Sequence, residues 1–503
     1  MSIDQRLQSI VILGGGTAGW MTAAALSRFA PHLAITLVES EAIGTVGVGE
    51  ATIPQIHLFN AALGLDEAEF LRETKGSFKL GIEFAGWTRE GESYMHAFGA
   101  IGRSAGLLPF QHYWLRAKAL GFAKPLIRYS ANELAARTMR VQHGARAAGQ
   151  PELPYAYHFD AALYAGFLRR YAEARGVAPV EGKVTHVERD AESGDIAALL
   201  LDGERRVAGD FFIDCSGFRG LLIEGELAAG YEDWTRWLPC DRALAVPCAS
   251  GGDFTPYTRS TARAAGWQWR IPLQHRIGNG YVYSSAHISD EEAATTLLAH
   301  LDGAPEGDPR PLRFTTGMRR CHWVKNCLAV GLAAGFLEPL ESTSIHLAQS
   351  AISRFLSVLP AGRPHPAIVD WFNAQAEFEW SRVRDFIILH YWANSRHGEP
   401  FWDERRAMEL PETLRAKIDQ WQAAGLIHRE HEELFTEVGW FQVFAGQEVA
   451  AHGYNPMAGA LTEPELRALL DDTEAALVEQ VRRLPRHIDA LTALVGQTQG
   501  AAA

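Results

Sequence analysis

The hydrophobic pattern near the N-terminus predicts a strand, a turn, a helix and a second strand in close succession. The apolar run 9–13 predicts a short buried strand, and the alanine-rich segment 20–30 predicts a helix. The apolar segment 35–39 predicts a second strand that ends at Glu39. Between the first strand and the helix, residues 14–19 read GGGTAG, which fits the GxGxxG pattern of a glycine-rich turn. This order of elements is typical of a dinucleotide-binding βαβ unit.

The residues of this turn have the properties that a dinucleotide requires. Gly14 permits the turn, Gly16 lets the backbone approach a pyrophosphate, and Gly19 lets the helix pack closely on the strand. The start of the helix offers N–H groups and a positive dipole end to phosphates. Glu39 follows Gly19 by 20 residues, where a carboxylate can accept a hydrogen bond from the adenosine ribose. A glycine-rich turn alone is common, but the complete unit indicates a nucleotide site.

Further along the chain, three more segments suit contact with a cofactor. Three glycines within 44–49 follow the acid at the end of the second strand. Segment 210–220 predicts a buried strand that enters a glycine turn, and the ends of parallel strands are where open sheets bind ligands. Segment 331–346 combines two glycines, one proline and two carboxylates before a helix that begins near Ser344. A helix start of this kind favours an anion.

The remaining pattern predicts β-rich segments followed by a mostly helical region from about residue 350. Trp267 and Trp269 lie two apart on a predicted strand, so they share one face. The predicted elements relevant below are a helix over 55–74, a strand over 75–84, a helix opened by 158–160, a strand over 323–330 and a last helix over 463–494 before a frayed tail, 497–503. The aromatic and His-rich stretches at 94–99 and 110–114 are equally compatible with core packing and with a site.

Composition narrows the function classes. A chain of 503 residues exceeds what one hydrophobic core usually supports, so we expect at least two lobes. The net charge of −13 disfavours nucleic acid and anionic membranes as partners. The five cysteines are odd in number and none has CxxC spacing, which disfavours a disulfide framework or a zinc site. With no signal-peptide pattern and no apolar run of about twenty residues, we expect a cytoplasmic protein without a membrane span or a metal site.

The segments resemble those of flavin-dependent halogenases of the tryptophan-halogenase type. The most specific match is the WxWxIP element at 267–272, because related flavin monooxygenases lack it. The matching segments occur in family order along nearly the whole chain, namely 14–20, 46–52, 75–81, 214–219, 267–272 and 338–343. Residues 390–391 and 400–402 also fit the resemblance.

The resemblance implies the fold, the domains and the cofactor. The class is α/β, a Rossmann-like FAD-binding fold of the GR2-type flavin monooxygenases with an added, mostly helical C-terminal substrate lobe. The implied domains are an FAD-binding core at 1–350 with an interleaved β-rich substrate segment at about 80–290, and a mainly helical lobe at 351–503 that covers the substrate site. The implied cofactor-binding residues are Gly14, Gly16, Thr17, Ala18, Gly19, Glu39, Val48, Gly49, Ala51, Gly331, Leu337 and Ile345.

The resemblance also implies a mechanism. A separate flavin reductase supplies FADH2, which with O2 and halide gives hypohalous acid, and this oxidant passes through a tunnel to Lys79 beside an aromatic substrate. An ammonium can hydrogen-bond the oxidant, and a free amine can form a haloamine. The matching carboxylate, Glu341, can steady the arenium cation and accept the ring proton. Halide would bind at Thr343 and Ser344. The implied tunnel residues are Trp267, Trp269, Ile271, Pro272, His96 and Phe98.

Two departures from the family pattern bear on substrate and halide. Position 344 is Ser where the family usually has Gly, which leaves the choice between bromide and chloride open. Segment 437–453 lacks the aromatic and acidic lid by which free-tryptophan enzymes hold the amino acid. We therefore expect an indole-type or other electron-rich aromatic substrate, with free tryptophan and a homodimer both left open.

Two alternatives to a halogenase remain at this point. A flavin-dependent aromatic hydroxylase on the same fold would transfer oxygen directly to a ring packed on the flavin, which a tryptophan barrier and Lys79 argue against. A non-catalytic flavin-binding protein would need neither Lys79 nor Glu341. Outside the family pattern a strand lysine is most often solvated, and a carboxylate at a helix start often only complements the dipole.

Overall fold

The computed structural model describes residues 6–41, 49–143, 153–250 and 253–496. All bounds below refer to these residues. The strands in chain order are β1 Ser9–Leu13, β2 Ala34–Glu39, β3 Gly49–Ala51, β4 Ser77–Lys79, β5 Gly81–Ala85, β6 Ser93–Ala97, β7 Ala156–Asp160, β8 Ala178–Glu181, β9 Val184–Arg189, β10 Ile196–Leu201, β11 Arg206–Ala208, β12 Phe211–Asp214, β13 Tyr231–Asp233, β14 Arg242–Cys248, β15 Thr258–Arg263, β16 Gly266–Pro272, β17 Ile277–Tyr283, β18 Arg310–Arg313, β19 Gly317–Arg319, β20 Trp323–Val324, β21 Cys327–Ala329 and β22 Gly335–Phe336. The helices are α1 Thr17–Phe29, α2 Ile56–Leu63, α3 Glu67–Glu73, α4 Phe110–Ala119, α5 Ala131–Arg137, α6 Ala161–Glu173, α7 Asp290–Ala299, α8 Ser344–Ser357, α9 Pro366–Trp392, α10 Pro400–Arg406, α11 Glu412–Ala424, α12 Glu437–Gly446, α13 Glu463–Arg482 and α14 His487–Gly496.

The chain forms two compact units, each built from three separate segments. The first unit comprises Met1–Gly76, Phe159–Asp241 and Arg313–Ser381, and the second comprises Ser77–His158, Arg242–Leu312 and Arg382–Ala503. This division differs from the domains expected from the sequence. Strands β8 and β12 of the middle segment pair with the N-terminal strands β2 and β1, so this segment belongs to the first unit. The last boundary between the units falls inside the continuous helix α9.

The first unit contains the predicted nucleotide-binding sheet. Its described strands follow the order β20-β21-β12-β1-β2-β8, parallel except for β20, which runs antiparallel to β21. Strand β1 lies between β12 and β2, so both of its edges are paired, and its apolar run is buried. Helix α1 connects β1 to β2 and packs against α6 and α8. The predicted α/β class with a Rossmann-like fold is confirmed, and the described elements from α9 onward are all helices, joined by loops.

The second unit contains a larger sheet that is mostly antiparallel. Its described strands follow the order β18-β14-β17-β16-β15-β5-β6, with a parallel pair where β15 meets β5. Helix α12 packs on β6, and α7 packs on β17 and β14. Strand β16, which carries the WxWxIP element, lies between β15 and β17 and is buried along its whole length. This central position gives its side chains fixed places in the unit.

The segment 75–84 forms two strands where the sequence pattern predicts one. The break is at Leu80, whose N–H donates to the Pro256 carbonyl at 2.7 Å and whose carbonyl accepts from the Phe98 N–H at 2.8 Å. Strand β4 therefore pairs with β7, while β5 pairs with β6 and β15. The alternation of apolar residues continues through the break and does not reveal it, because the break depends on partners far away in the sequence.

Other predicted elements are also divided by local breakers. The helix expected over 55–74 is two helices separated at Gly64, which has a φ of +74°, with Asp66 capping the second. The helix expected to open at 158–160 is instead preceded by β7, and Asp160 caps α6 through the N–H groups of residues 162 and 163. The last helix is interrupted near Pro485. Segment 323–330 is a hairpin of β20 and β21, and the expected tail at 497–503 lies outside the described residues.

None of the helices in the described part of the chain combines the length and the apolar character that crossing a membrane would require.

Candidate active site

The glycine turn after β1 leaves space only where a ligand would need it. Gly14 has a φ of +118°, and a Cβ there would lie 2.2 Å from the Cys215 carbonyl oxygen. A Cβ on Gly19 would lie 1.8 Å from the Gly14 carbonyl oxygen, so the helix start packs directly on the turn. Gly16 has an ordinary φ of −76°, and a Cβ there would meet no atom within 4 Å among the described residues. With respect to the described residues, the backbone at Gly16 is therefore open on one side.

Glu39 lies at the end of β2, where the sequence pattern places the ribose-binding acid. Its Oε1 is 2.8 Å from an Arg169 guanidinium nitrogen, and a Cβ on Gly15 would lie 1.8 Å from its Oε2. Burial raises the pKa of Glu39, against the lowering by Arg169 and by a hydrogen bond from Trp20. The role of Gly15 is signalled by the third consecutive glycine, but nothing in the sequence pattern signals Arg169.

The second glycine turn follows the strand beside β1. Asp214 is buried at the end of β12, and its carboxylate accepts hydrogen bonds from the N–H groups of Ser216, Leu222 and Ile223 at 2.8–2.9 Å. This carboxylate organises the turn that the sequence pattern singled out at 210–220. Asp214 therefore has a structural role. A match to the motif alone cannot distinguish this role from a contact with a ligand.

Of the predicted cofactor residues outside the first turn, Gly331 lies directly beside it. Gly331 has a φ of +69°, and a Cβ there would lie 2.6 Å from the Ala18 Cβ. The Thr17 hydroxyl donates to the Ala161 carbonyl at 3.4 Å. Of the others, Gly49 and Ala51 are in β3, Leu337 and Ile345 are buried, and Val48 lies outside the described residues. Between Gly49 and Ala51, burial raises the pKa of Glu50 to about 7.

The carboxylate Glu341 occupies a tight turn at the start of α8. Residues Pro339–Glu341 form one turn of 3₁₀ helix, and Ser342 follows with a φ of +59°. Glu341 is 1% exposed. Thr343 is equally buried, and its hydroxyl oxygen has no hydrogen-bond partner among the residues that the structure describes. Ser344, the next residue, is half-buried and begins the helix. A helix N-terminus beside an unpaired buried hydroxyl suits a small anion.

Lys79, in the second unit, is completely buried. It is the last residue of β4, stands opposite Ala156 on β7 and is 0% exposed. Its Nζ lies 5.5 Å from the centroid of the Phe98 ring, within the range of a cation–π contact. A solvated strand lysine is therefore excluded. Burying an ammonium is costly, so a lysine held in this way indicates a functional environment.

A neutral histidine stands beside this lysine. His158 Nδ1 is 3.2 Å from the Ser77 hydroxyl, which itself donates to the Pro272 carbonyl at 2.8 Å. His158 Nε2 is 2.9 Å from the Thr258 hydroxyl. Because the Ser77 proton is committed to Pro272, Nδ1 carries the imidazole proton and Nε2 accepts from Thr258. Burial, and then the nearby charge of Lys79, hold the pKa of His158 well below its usual value.

These bonds connect the lysine strand to the WxWxIP strand at Pro272. Trp267 and Trp269 lie on one face of β16, as their spacing predicts, with ring centroids 6.2 Å apart and planes tilted by 57°. A Cβ on Gly280, opposite Trp269 on β17, would lie 2.0 Å from that indole. The Trp269 ring can occupy this position because Gly280 has no side chain. Ile271 is buried on the same strand.

His96 and Phe98 lie on and just after β6. His96 is buried, and the centroid of its ring lies 5.4 Å from that of Phe386 and 6.0 Å from that of Phe435. Phe98 is half-buried. A Cβ on Gly439, in α12, would lie 3.0 Å from His96 Nε2, so α12 approaches β6 closely here. The structure thus groups Lys79, Phe98 and His96 in one unit, and the glycine turn, Glu39, Glu341 and Thr343 in the other.

Charged side chains behind α12 are paired with one another. Arg382 contacts Glu430 at 2.8 Å, and Lys417 contacts Glu433 at 3.0 Å. The neighbouring Arg384 contacts Asp385 at 2.8 Å. Among the described residues of this network, three cations are thus matched by three carboxylates. Each of these three cations therefore has a carboxylate within 3.0 Å.

Comparisons with known proteins agree with these features. The family model described as tryptophan halogenase matches residues 9–463. The chain is similar to two solved structures: Xcc4156, a flavin-dependent halogenase from Xanthomonas campestris (TM-score 0.95, 45% identity, 97% of this chain and 99% of that one), and BrvH, a flavin-dependent halogenase from Brevundimonas sp. BAL3 (TM-score 0.94, 44% identity, 97% and 99%). It is also 36% identical over 443 residues to the tryptophan 6-halogenase SttH of Streptomyces toxytricini, covering 82% of this chain and 83% of the relative.

Proposed function

Because the chain belongs to the tryptophan halogenase family of flavin-dependent enzymes, we propose that it halogenates an electron-rich aromatic substrate of the indole type, using bromide or chloride. Enzymes of this family use FADH2 and halide, with a separate flavin reductase as the general source of FADH2. The observation that carries the proposal is the completely buried Lys79 beside the half-buried ring of Phe98. An amine in such a place suits the capture of hypohalous acid beside an aromatic ring.

The residues of the first unit fit FAD. The open side of Gly16 suits a pyrophosphate, and the N–H groups at the start of α1 would bind its oxygens. Glu39, held by Arg169, would accept a hydrogen bond from the ribose. The close approach of Gly331 to Ala18 leaves a surface of small residues beside the turn. The bound flavin would supply, with O2, the two-electron oxidation of halide.

We assign halide binding to the start of α8. The backbone N–H groups at Thr343 and Ser344 are at a helix N-terminus, where the dipole favours an anion. The buried Thr343 hydroxyl, which lacks a partner among the described residues, can donate to the same ion. Ser344 keeps a backbone N–H in the position where the family pattern usually has Gly, and so retains this donor.

We assign Lys79 to the oxidant and Glu341 to the aromatic ring, the roles that the family pattern gives to the matching residues. As an ammonium, Lys79 would donate a hydrogen bond to the oxygen of hypohalous acid. As a free amine, it would attack the halogen, so that the oxygen–halogen bond breaks, an N–halogen bond forms, and the hydroxide leaves as water with a proton from the amine. Either route presents an electrophilic halogen to the ring. The Glu341 carboxylate would stabilise positive charge on the ring and take its proton. The neutral His158 adds no second positive charge beside the lysine. Both roles require water to be excluded, which the burial of the two side chains supports.

The paired charges behind α12 support a neutral substrate. Arg382 and Lys417 each have a carboxylate partner within 3.0 Å, so recruiting either cation to hold the carboxylate of a free amino acid would cost its ion pair. An indole without ammonium or carboxylate imposes no such cost. The relative SttH is named as a tryptophan halogenase, so free tryptophan is the substrate with which indole has to be compared.

The test is a competition between substrates. Purified protein with a flavin reductase, NADH, FAD and bromide or chloride is given indole and free tryptophan in equal amounts, and products are followed by mass spectrometry. We expect brominated or chlorinated indole to form at least about tenfold faster than halogenated tryptophan, a difference of about 1.4 kcal/mol. Faster turnover of tryptophan would reject the neutral substrate, and a product heavier by one oxygen would indicate a hydroxylase instead.

The halide assignment predicts the effect of Thr343→Val. Valine keeps the shape of threonine but removes a hydroxyl that caps no helix N–H in this structure. We expect the KM for bromide to rise several-fold, while the apoprotein stays as stable or gains about 1 kcal/mol because an unpaired buried hydroxyl is removed. Steady-state kinetics and thermal unfolding measure the two effects.

Thr316→Val is the matched control for this variant. Thr316 is also completely buried, and its hydroxyl also lacks a partner among the described residues, but it precedes β19 rather than α8. It should share the stability change and leave the KM for bromide unchanged. An equal rise in the KM for bromide in both variants would show that the Thr343 hydroxyl does not belong to the halide site.

A further inference from the structure

Helix α12 is fastened to strand β6 by one side-chain amide. Gln442 is 3% exposed, its Oε1 accepts from the Ala97 N–H at 2.9 Å, and its Nε2 donates to the Ala97 carbonyl at 3.0 Å. The backbone N–H and the carbonyl of Ala97 are thus both hydrogen-bonded to one side-chain amide, as they would be to a neighbouring strand. Strand β6 is the last strand of its sheet among the described residues, so β5 pairs with one of its sides only.

This fastening continues directly to the lysine. Ala97 is followed by Phe98, whose N–H donates to the carbonyl of Leu80, the residue after Lys79. The Phe98 ring in turn lies 5.5 Å from the Lys79 Nζ. The backbone on one side of Ala97 is therefore held by Gln442, and the next residue is held to the lysine segment. A shift of α12 would be transmitted to Phe98 through a single peptide bond.

The same helix also approaches the preceding tunnel residue, His96. Gly439 precedes Gln442 by one helical turn and allows α12 to approach His96 closely. Gly439 and Gln442 thus contact two consecutive residues, His96 and Ala97, and the next residue is Phe98. This part of α12 therefore lies beside the segment that carries both predicted tunnel residues, His96 and Phe98.

We propose that Gln442 is a positioning residue for halogenation: its paired hydrogen bonds to Ala97 hold the Phe98 ring against the Lys79 ammonium. This inference rests on the proposed function, in which Lys79 captures the oxidant beside the substrate. Gln442 itself touches neither reactant in this scheme. Loosening it should let Phe98 and Lys79 move, so that oxidant escapes before it reaches the ring.

The test variant is Gln442→Met, which keeps the length of the side chain and removes both hydrogen bonds. We expect the kcat for halogenated product to fall about tenfold or more, since a misplacement of about 1 Å can be this costly. The share of oxidant intercepted by an added small β-diketone scavenger should rise in proportion. FAD affinity and the KM for bromide should stay at wild-type values, which separates misplacement from general damage.

Gln447→Met is the matched control. Gln447 is also buried, directly after α12, and its Nε2 donates to the backbone carbonyl of His390 at 2.8 Å rather than to β6. It should leave the partition between product and scavenged oxidant unchanged. An unchanged partition in Gln442→Met, or an equal change in both variants, would overturn the proposal.

A second variant covers the case in which Gln442→Met does not fold. Gly439→Ala adds a methyl group 3.0 Å from His96 Nε2 and improves the helix propensity of α12, so folding should be retained. It should raise the scavenged share in the same direction, and an unchanged share would count against positioning by α12. If the wild-type protein halogenates no aromatic compound at all, the proposed function fails, whereas an active wild type with an insensitive Gln442 rejects this inference alone.

Discussion

Replacing Lys79 with methionine is expected to lower halogenation by about 10³-fold or more, with FAD binding retained. Methionine keeps an unbranched side chain in a position that is 0% exposed, so the variant removes the amine without leaving a large cavity. The amine is the group that would hydrogen-bond or capture hypohalous acid, and no other group is proposed to replace it. Product formation by mass spectrometry and FAD binding by fluorescence titration measure the two effects.

Lys118→Met is the control for this variant. Lys118 also places its Nζ near an aromatic ring, 5.2 Å from the centroid of Trp114, but it is exposed on α4. It should halogenate at the wild-type rate, because an exposed ammonium over a ring contributes little. Retention of halogenation in Lys79→Met would contradict the proposed mechanism. Loss of product with FAD retained would instead exclude a protein that only binds flavin.

The βαβ unit could be predicted because its determinants are local. The glycines at 14–19, the apolar runs on either side and the acid at Glu39 lie within about thirty residues, and each has a separate physical requirement. The predicted bounds of β1 and β2 agree with the structure to within one residue. The partner of Glu39 could not be predicted, because Arg169 is on α6, and only the fold brings that helix beside β2.

The candidate site depended on the family pattern more than on local physics. Composition and alternation predict a strand at Lys79 but do not predict its burial, because the residues around it, such as Ala156 opposite it on β7 and Phe98, belong to other segments. The local pattern does not predict the break at Leu80, because its partners, Pro256 and Phe98, belong to other segments. Gln442 lies in segment 437–453, which departs from the pattern of free-tryptophan enzymes, yet its hydrogen bonds to Ala97 join residues 345 positions apart. Long-range contacts of this kind leave no periodic signal.

Gly14→Ala is expected to destabilise the protein by roughly 3–5 kcal/mol and to prevent FAD binding. Its φ of +118° is unfavourable for any residue with a Cβ, and that Cβ would lie 2.2 Å from the Cys215 carbonyl oxygen. Relief would require separating the turn from the end of β12, which pairs with β1 through Leu13 and Asp214. Denaturant unfolding of the apoprotein and titration with FAD measure the two losses.

Gly16→Ala separates ligand contact from folding at the same turn. Its φ of −76° suits alanine, and the added Cβ would meet no described atom within 4 Å, so apoprotein stability should change by less than about 0.5 kcal/mol. The methyl group would instead occupy the space where the pyrophosphate is proposed to approach the backbone, so the Kd for FAD should rise about tenfold or more. Gly14→Ala thus loses the fold and the cofactor together, whereas Gly16→Ala loses affinity alone. Wild-type FAD affinity in Gly16→Ala would mean that the open side of this turn does not face the phosphates, and the assignment of the cofactor to it would have to be withdrawn.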